Sequence, residues 1–141
     1  MISNAYIKLV PASVKQTITL SEVKELLQYY RDITSKTGEQ LNWQYGQAAF
    51  PYEFAETREG KGKWFYLKAT DTERYRYIVF AVDSEQTEDG ERPYIHVTLP
   101  DDATYADKGK ANEFCKFIAK KLKGELQLFN GRTMFYYKQK V

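Results

Sequence analysis

The stretch of residues 63–83 reads KWFYLKATDTERYRYIVFAVD and decides the fold. Within it, residues 63–69 and 75–83 alternate between two kinds of side chain, which is the two-residue period of a β-strand. A polar turn separates the two segments, and residues 94–99 repeat the pattern after another turn. We therefore predict an antiparallel meander with an apolar face for the core, made of Phe65, Leu67, Ile78, Phe80, Ile95, Val97 and Leu99.

Two amphipathic helices are predicted to cover that apolar face. The first begins with Thr19 as N-cap and Glu22 three residues later, a capping box, and Gly38 is predicted to end it. The second begins between residues 106 and 110 and is predicted to end at Gly124. Its apolar stripe comprises Ala111, Phe114, Cys115, Ile118 and Leu122.

The remaining strands are shorter. Residues 5–10 predict a first strand at or near a sheet edge, because Pro11 closes it. Leu41, Trp43 and Tyr45 predict a second strand, and the irregular stretch 47–62 that follows is given a helical turn around residues 52–55. A final hairpin joins residues 125–129 to 132–138 through Asn130-Gly131, a dipeptide typical of a type I′ turn.

The complete prediction is an α+β fold with an antiparallel sheet in the order β-α-β-β-β-β-α-β-β. The two amphipathic helices pack on one face of this sheet, and a C-terminal hairpin ends it. Neither a repeat nor a linker divides the sequence, so residues 1–141 are predicted to form a single domain.

Composition restricts the class of protein. Hydrophobic residues make up 43% and charged residues 28% of the chain, and no apolar run is long enough to span a bilayer, so we expect a soluble protein without membrane insertion. The N-terminus lacks the basic and continuously apolar blocks of a secretory signal. Cys115 is the only cysteine, which fits a reducing compartment. We therefore expect a cytoplasmic location.

Charge is unevenly distributed along the chain. Residues 1–107 carry 12 basic and 17 acidic side chains, whereas residues 108–141 carry 9 and 2. Lys116, Lys120 and Lys123 lie on the polar side of the second predicted helix and form a candidate basic surface. These lysines either form a solvated helix face or attract nucleic acid or an acidic protein surface.

Two resemblances follow from these segments. The order of elements up to Gly124 resembles the TATA-binding-protein type of fold, which implies a curved antiparallel sheet with both helices on its convex face. The segments AYIKLVP, residues 5–11, and KWFYLKA, residues 63–69, resemble a small uncharacterised family from Bacillus and its relatives. Because that family has no assigned activity, the resemblance assigns no functional residue.

Catalytic motifs are weak. His96 is the only histidine, so a two-histidine zinc site is excluded, and neither a metal nor a cofactor is predicted. Cys115 lies on an apolar helix stripe and is expected to be buried and inert. GKGK, residues 60–63, lacks the spacing of a phosphate-binding loop, and residues 83–91 lack that of a calcium loop. A small enzyme using His96 with Asp101 or Asp102 is retained as one alternative.

Aromatic content is the unusual feature: 12 Tyr, 8 Phe and 2 Trp. Alternation places part of this excess on the sheet face away from the helices, and that candidate ligand-binding surface comprises Trp64, Tyr66, Lys68, Tyr75, Tyr77, Tyr94 and His96. Tyrosine also stabilises a wetted sheet face without any ligand, and the C-terminal hairpin would bury the face if it folded over it.

The function predicted from the sequence is binding without catalysis, and an enzyme is disfavoured. We predict a protein-binding, peptide-binding or self-associating module that uses the aromatic sheet face, with a protein partner or a homodimer as its complex. The main alternative is binding of single-stranded nucleic acid by that face together with the lysines of the second helix.

Overall fold

The computed structural model describes residues 2–41, 49–88 and 90–137. The fold is α+β, as predicted. Its long helices are α1 (Leu20–Leu41) and α2 (Tyr105–Leu122). Its strands are β1 (Ser3–Lys8), β2 (Tyr52–Ala55), β3 (Trp64–Ala69), β4 (Tyr77–Thr87), β5 (Gly90–Leu99), β6 (Glu125–Gln127) and β7 (Thr133–Phe135).

All seven strands form one antiparallel sheet in the order β2-β3-β4-β5-β1-β6-β7. β1 lies between β5 and β6, so the prediction that it lies at or near an edge is wrong. Pro11 comes three residues after β1 ends at Lys8, so its missing N–H removes no hydrogen bond from the sheet. That leaves β1 free to pair on both sides.

α1 begins as its sequence predicts. The Thr19 hydroxyl accepts from the Glu22 N–H at 3.2 Å, and the Thr19 N–H donates to the Glu22 carboxylate at 3.0 Å, which completes the capping box. The helix continues through Gly38 to Leu41, so the predicted end at Gly38 is wrong. A glycine costs a helix interior only about 1 kcal/mol, which a long helix tolerates.

The second strand is not where the alternation of Leu41, Trp43 and Tyr45 predicts it. Leu41 is the last residue of α1, while Trp43 and Tyr45 lie outside the described residues. β2 is formed instead by Tyr52–Ala55, the segment for which a helical turn was predicted, and it pairs with β3. Tyr52 is buried and Phe54 packs against the core, so tertiary packing decides this strand.

α2 also has a capping box, in which the Thr104 hydroxyl accepts from the Asp107 N–H and the Asp107 carboxylate accepts from the Thr104 N–H. The helix ends at Leu122, and the left-handed residue after it is Lys123, with φ 53°, rather than the predicted Gly124. Gly124 is required for another reason. A Cβ atom there would lie 2.8 Å from the Lys8 carbonyl oxygen, where β1 and β6 meet.

The C-terminal hairpin forms with a different turn from the predicted type I′. Gly131 has φ 86°, but Asn130 has no positive φ, and a type I′ turn needs two. The Gly131 N–H donates to the Leu128 carbonyl at 2.9 Å, and the Leu128 N–H donates to the Arg132 carbonyl at 2.8 Å. This pattern is a three-residue loop whose last residue is the left-handed glycine.

Both helices and the inner sheet face share one hydrophobic core. Fully buried residues come from every layer, including Val23 and Leu27 of α1, Phe114 and Ile118 of α2, and Phe65, Phe80 and Ile95 of the sheet. All seven apolar residues predicted for the helix-facing side of the meander are buried. In the described part of the chain, no helix is both long and apolar enough to cross a lipid bilayer.

Candidate binding surface

The sheet face opposite the helices carries the excess of aromatic residues. The alternating burial of β1, β3, β4 and β5 turns every second side chain away from the core, and the strand register places these side chains next to one another. We call this surface the open face. In its central strands it comprises Asn4, Tyr6, Lys8, Trp64, Tyr66, Lys68, Tyr77, Val79, Ala81, Asp83, Glu85, Arg92, Tyr94, His96 and Thr98.

The rings of the open face support one another. Tyr6 stacks on His96, with ring centroids 4.9 Å apart and planes 12° apart, and Tyr94 meets the Tyr6 ring edge-on at 5.7 Å. Tyr66 and Tyr77 form a second edge-on pair at 5.7 Å. Contacts between neighbouring rings restrict the rotamers of these side chains. The surface is therefore already ordered before any partner binds.

A polar network holds His96 in place. Its Nε2 lies 2.7 Å from Asn4 Oδ1, and the Thr98 hydroxyl donates to the same oxygen at 3.1 Å. Because Oδ1 only accepts, Nε2 carries the proton. Burial lowers the pKa of His96, although the nearby Asp83 carboxylate acts in the opposite direction. His96 is therefore a neutral, oriented ring at neutral pH.

One predicted member does not belong to this surface. Tyr75 lies before β4, packs against the core and meets the buried Tyr52 ring edge-on at 5.5 Å. Its N–H donates to the Asp71 carbonyl, which makes residues 71–75 a turn rather than an extension of the strand. The alternation of Tyr75 with Tyr77 therefore carries no information about the face. Trp64, Tyr66, Lys68, Tyr77, Tyr94 and His96 do share the open face.

The C-terminal hairpin extends the sheet and does not fold over the open face. β6 pairs with β1, and β7 pairs with β6. Glu125 and Gln127 of β6 follow the register of Lys8 and Tyr6, and Phe135 of β7, which is 49% exposed, lies opposite Glu125. Phe129 packs against the core instead. The hairpin thus enlarges the open face.

A turn that contains Gly60 packs against the Trp64 ring. The N–H groups of Lys63 and Trp64 both donate to the Gly60 carbonyl, at 2.8 and 2.9 Å. Gly60 is buried, and a Cβ atom there would lie 2.4 Å from the Trp64 ring. The close approach of this glycine therefore positions the indole at one side of the open face.

Charges on the open face are balanced. Among the described strand residues, its cations are Lys8, Lys68 and Arg92, and its anions are Glu53, Asp83, Glu85 and Glu125. Lys8 and Glu85 form an ion pair at 3.4 Å. A surface that binds phosphate backbones has an excess of cations, which this face lacks.

The predicted basic surface lies on the other side of the molecule. Lys116, Lys120 and Lys123 are exposed, and Lys116 and Lys120 project from the side of α2 that faces away from the sheet. Lys123 is the left-handed residue after α2, and its carbonyl accepts from the Ser13 hydroxyl at 2.9 Å. Because the sheet separates the α2 lysines from the open face, the two do not form one continuous surface.

Within the described part of the chain, His96 and Asp101 line two different cavities, and Asp102 lines neither of them. Asp101 lines a shallow depression with Ser3 and Lys108, beyond the end of β5. His96 lines a separate open cleft of about 600 Å³ with Lys63, Val82 and Asp83, next to the start of α1. This cleft exists because the pairing of β3 with β4 ends at Trp64 and Ala81, while β4 continues to Thr87. The acid that accompanies His96 is therefore Asp83.

Cys115 is buried in α2, as predicted. Burial raises the pKa of its thiol to about 12, so the thiolate that nucleophilic chemistry requires is scarce at neutral pH. Across residues 2–41, 49–88 and 90–137, no three His, Cys, Asp or Glu side chains come together as candidate metal ligands.

A buried carboxylate on the helix side is a feature that the sequence analysis missed. Asp107 is completely buried and accepts from three donors: the Tyr52 hydroxyl at 2.5 Å, the Arg76 N–H at 2.9 and 3.1 Å, and the Thr104 N–H at 3.0 Å. It joins the start of α2 to β2 and to the turn before β4. The sequence signal was the spacing of Thr104 and Asp107, an N-cap followed by an acid at the third helical position.

Tyr52 gives this cluster a testable pH dependence. Burial, and then the bond to the Asp107 carboxylate, raise the pKa of the Tyr52 hydroxyl far above its usual 10. The folded protein therefore keeps this proton above pH 10, while the unfolded chain releases it. Its contribution to stability is fully present below about pH 10 and is lost at about 1.4 kcal/mol per pH unit above it.

We expect the stability curve of Tyr52→Phe to be flatter than that of the natural protein between about pH 10 and 11.5. Urea unfolding at a series of pH values measures both curves. Tyr105→Phe is the control, because Tyr105 is 94% exposed and its variant should retain the full alkaline slope. Parallel curves for the natural protein and Tyr52→Phe would contradict the assignment.

Comparison with known protein families shows a match to a domain of unknown function, DUF1885, over residues 3–138. The chain belongs to this family. Among solved structures it is similar to a protein of unknown function from Bacillus stearothermophilus, with 42% sequence identity and a TM-score of 0.59. That similarity covers 89% of this chain and 93% of the other. A comparison with curated proteins gave no match.

Family membership confirms the resemblance seen in residues 5–11 and 63–69. Those segments contain most of β1 and all of β3, and these two strands supply Tyr6, Trp64 and Tyr66 to the open face. Since the family has no assigned function, it transfers no catalytic or binding residue to this chain.

Proposed function

We propose that the chain is a single cytoplasmic domain that binds a protein partner through its open face and performs no catalysis. The observation that carries this proposal is the arrangement of the face. Two adjacent rows of uncharged side chains, Trp64-Ala81-His96-Tyr6 and Tyr66-Val79-Thr98-Asn4, form its centre. Charged residues lie at the two ends of the strands. An aromatic centre depleted of charge within a polar rim is the usual composition of a protein interface.

The other parts of this proposal rest on independent features. One core shared by both helices and the sheet supports a single domain. The lone, unpaired cysteine supports a cytoplasmic location. An antiparallel sheet with both helices on one side supports the TATA-binding-protein type of topology.

Neither alternative function has comparable support. Binding of single-stranded nucleic acid would use the rings for stacking, but the balanced charge of the open face and the remote α2 lysines count against it. An enzyme would need His96 near Asp101 or Asp102, but Asp101 lines a different cavity from His96 and Asp102 lines neither of the two.

Site-specific photo-crosslinking tests the proposal. A benzoylphenylalanine introduced at Tyr66 on the open face, in cells that express the full chain, should give one discrete protein adduct that mass spectrometry identifies. The same probe at Tyr29, which is exposed on α1, is the matched control and should not give that adduct. Absence of any adduct from Tyr66, or the same adduct from both positions, would contradict the proposal.

The identified partner is then purified and titrated against two variants. Ala81→Arg places a charge in the uncharged centre and should weaken binding at least about 10-fold. Lys116→Glu changes the opposite side of the molecule and should leave the affinity unchanged. Labelled oligothymidine is titrated in parallel at two salt concentrations. Tight, salt-sensitive binding that Trp64→Ala abolishes would favour the nucleic-acid alternative instead.

A further inference from the structure

The open face has the dimensions of a complete protein interface. Its seven strands, at about 4.8 Å spacing, span about 30 Å, and the eight residue steps from Tyr77 to Glu85 extend about 27 Å along β4. Only β4 and β5 run this full length and the other five strands have three to six residues, so the face offers roughly 700 Å², which lies within the range that each partner contributes to a standard interface. A partner of similar breadth is needed to cover it.

The face is also complementary to itself. A two-fold axis parallel to the strands, between β4 and β5, exchanges those two strands and exchanges β3 with β1, while each row stays at its own level. Each residue of one copy then faces the residue of the other copy that lies in the same row, at the equivalent position on the other side of the axis. Trp64 therefore faces Tyr6, Ala81 faces His96, and Glu85 faces Arg92.

Each of these meetings is favourable. The small Ala81 of one copy faces the His96 ring of the other, which leaves room for the ring between sheets that pack about 10 Å apart. Trp64 faces the Tyr6 ring, a pair of aromatic side chains. Near the charged end, Glu85 of each copy faces Arg92 of the other, so the two-fold axis places two equivalent pairs of opposite charge in the interface.

We infer that the partner of the open face is a second copy of this chain, and that the two sheets pack face to face about a two-fold axis between β4 and β5. This inference rests on the proposed function, because it names the partner of the same surface. The uncharged centre, the area and the matched charges under one rotation carry it. A partner of unrelated sequence would need its own uncharged centre of similar area and its own matching charges.

Sedimentation velocity of the full chain, from about 1 to about 200 µM, tests the inference. We expect a species of twice the 16.5 kDa chain mass. Ala81→Arg should raise the dissociation constant by about 100-fold, because the two copies bring two guanidinium groups to the centre of the interface. Tyr105→Arg, an equally charged change at an exposed position on the helix side, should leave the constant unchanged. Circular dichroism verifies that both variants are folded.

A charge-reversal cycle tests the proposed axis. Glu85→Arg should weaken the dimer by about 10-fold, since it places two cations opposite each other. Adding Arg92→Glu should restore the dissociation constant to within about 3-fold of the natural value, because the acid and base have exchanged places in both copies. Failure of this rescue would overturn the proposed axis.

Other outcomes separate this inference from the proposed function. A monomer at every concentration would overturn the inference, as would a dimer that Ala81→Arg leaves intact. If the monomer still crosslinks from Tyr66 to a different protein, the open face remains a binding surface with another partner. If Tyr66 crosslinks to nothing, the proposed function fails as well.

Discussion

Replacing Asp107 by alanine is expected to lower the free energy of unfolding by about 3–5 kcal/mol, because one buried and two partly buried donors lose their acceptor together. These donors are the Tyr52 hydroxyl and the N–H groups of Arg76 and Thr104. An unsatisfied buried donor costs about 1–3 kcal/mol, and here the donors come from three different segments of the chain. The loss therefore exceeds that of an ordinary helix cap, which is about 1 kcal/mol.

Urea unfolding monitored by circular dichroism measures this effect as a lower midpoint at an unchanged slope. Asp102→Ala is the matched control, because Asp102 is exposed in the turn before the same helix. Its effect should stay within about 0.5 kcal/mol. Asp107→Asn should have an intermediate effect, since one carbonyl oxygen still accepts. An Asp107→Ala loss no larger than that of Asp102→Ala would show that the cluster contributes little to stability.

The cluster around Asp107 shows which contacts could be predicted from residue spacing and which could not. The capping box of α1 was predicted because Thr19 and Glu22 are three residues apart and each side chain bonds the other's backbone N–H. Thr104 and Asp107 repeat that spacing, but Asp107 owes its importance to Tyr52 and Arg76, which are 55 and 31 residues away. Contacts at that separation depend on the tertiary fold, so the spacing alone could not reveal them.

Strand alternation predicted the open face correctly within the strands and failed for a residue that lies just before one. Tyr94, His96 and Thr98 lie inside a ten-residue strand, and their side of the sheet was predicted correctly. Tyr75 lies two residues before β4, inside a turn. Its spacing of two residues from Tyr77 therefore does not place the two side chains on the same face. A shift of one residue moves a side chain to the other face of the sheet. Residues at strand boundaries are therefore the positions whose face is hardest to predict from sequence.

Strand order was beyond the sequence pattern for a different reason. β1 and β6 pair although α1, four strands and α2 separate them in the chain, and nothing in the strand 5–10 indicates a second neighbour. That pairing places the C-terminal hairpin beside the open face and not over it. Whether the tyrosine-rich surface is accessible therefore depends on a long-range contact, the kind that alternation and turn signals do not encode.

The second large effect is expected from Phe114→Ala, which should destabilise the protein by about 3–5 kcal/mol. Phe114 is fully buried where α2 meets its neighbours, with ring centroids 5.3 Å from Tyr30 of α1, 5.3 Å from Phe50 and 6.1 Å from Tyr52 of β2. Removal of the ring leaves a cavity bordered by three aromatic side chains, whose planar shapes limit how far the site can collapse.

Phe135→Ala is the matched control, since it removes the same atoms from a side chain that is 49% exposed on β7, and it should cost less than about 1 kcal/mol. Equal losses for the two variants would contradict this account of the core. Phe114 lies on the helix side, so its removal should lower stability without changing the dissociation constant of the proposed dimer. Ala81→Arg should do the reverse when unfolding is measured at concentrations where every variant is monomeric, because association itself stabilises the folded state. This opposite pair of results is expected only if the helix layer determines stability and the open face determines binding.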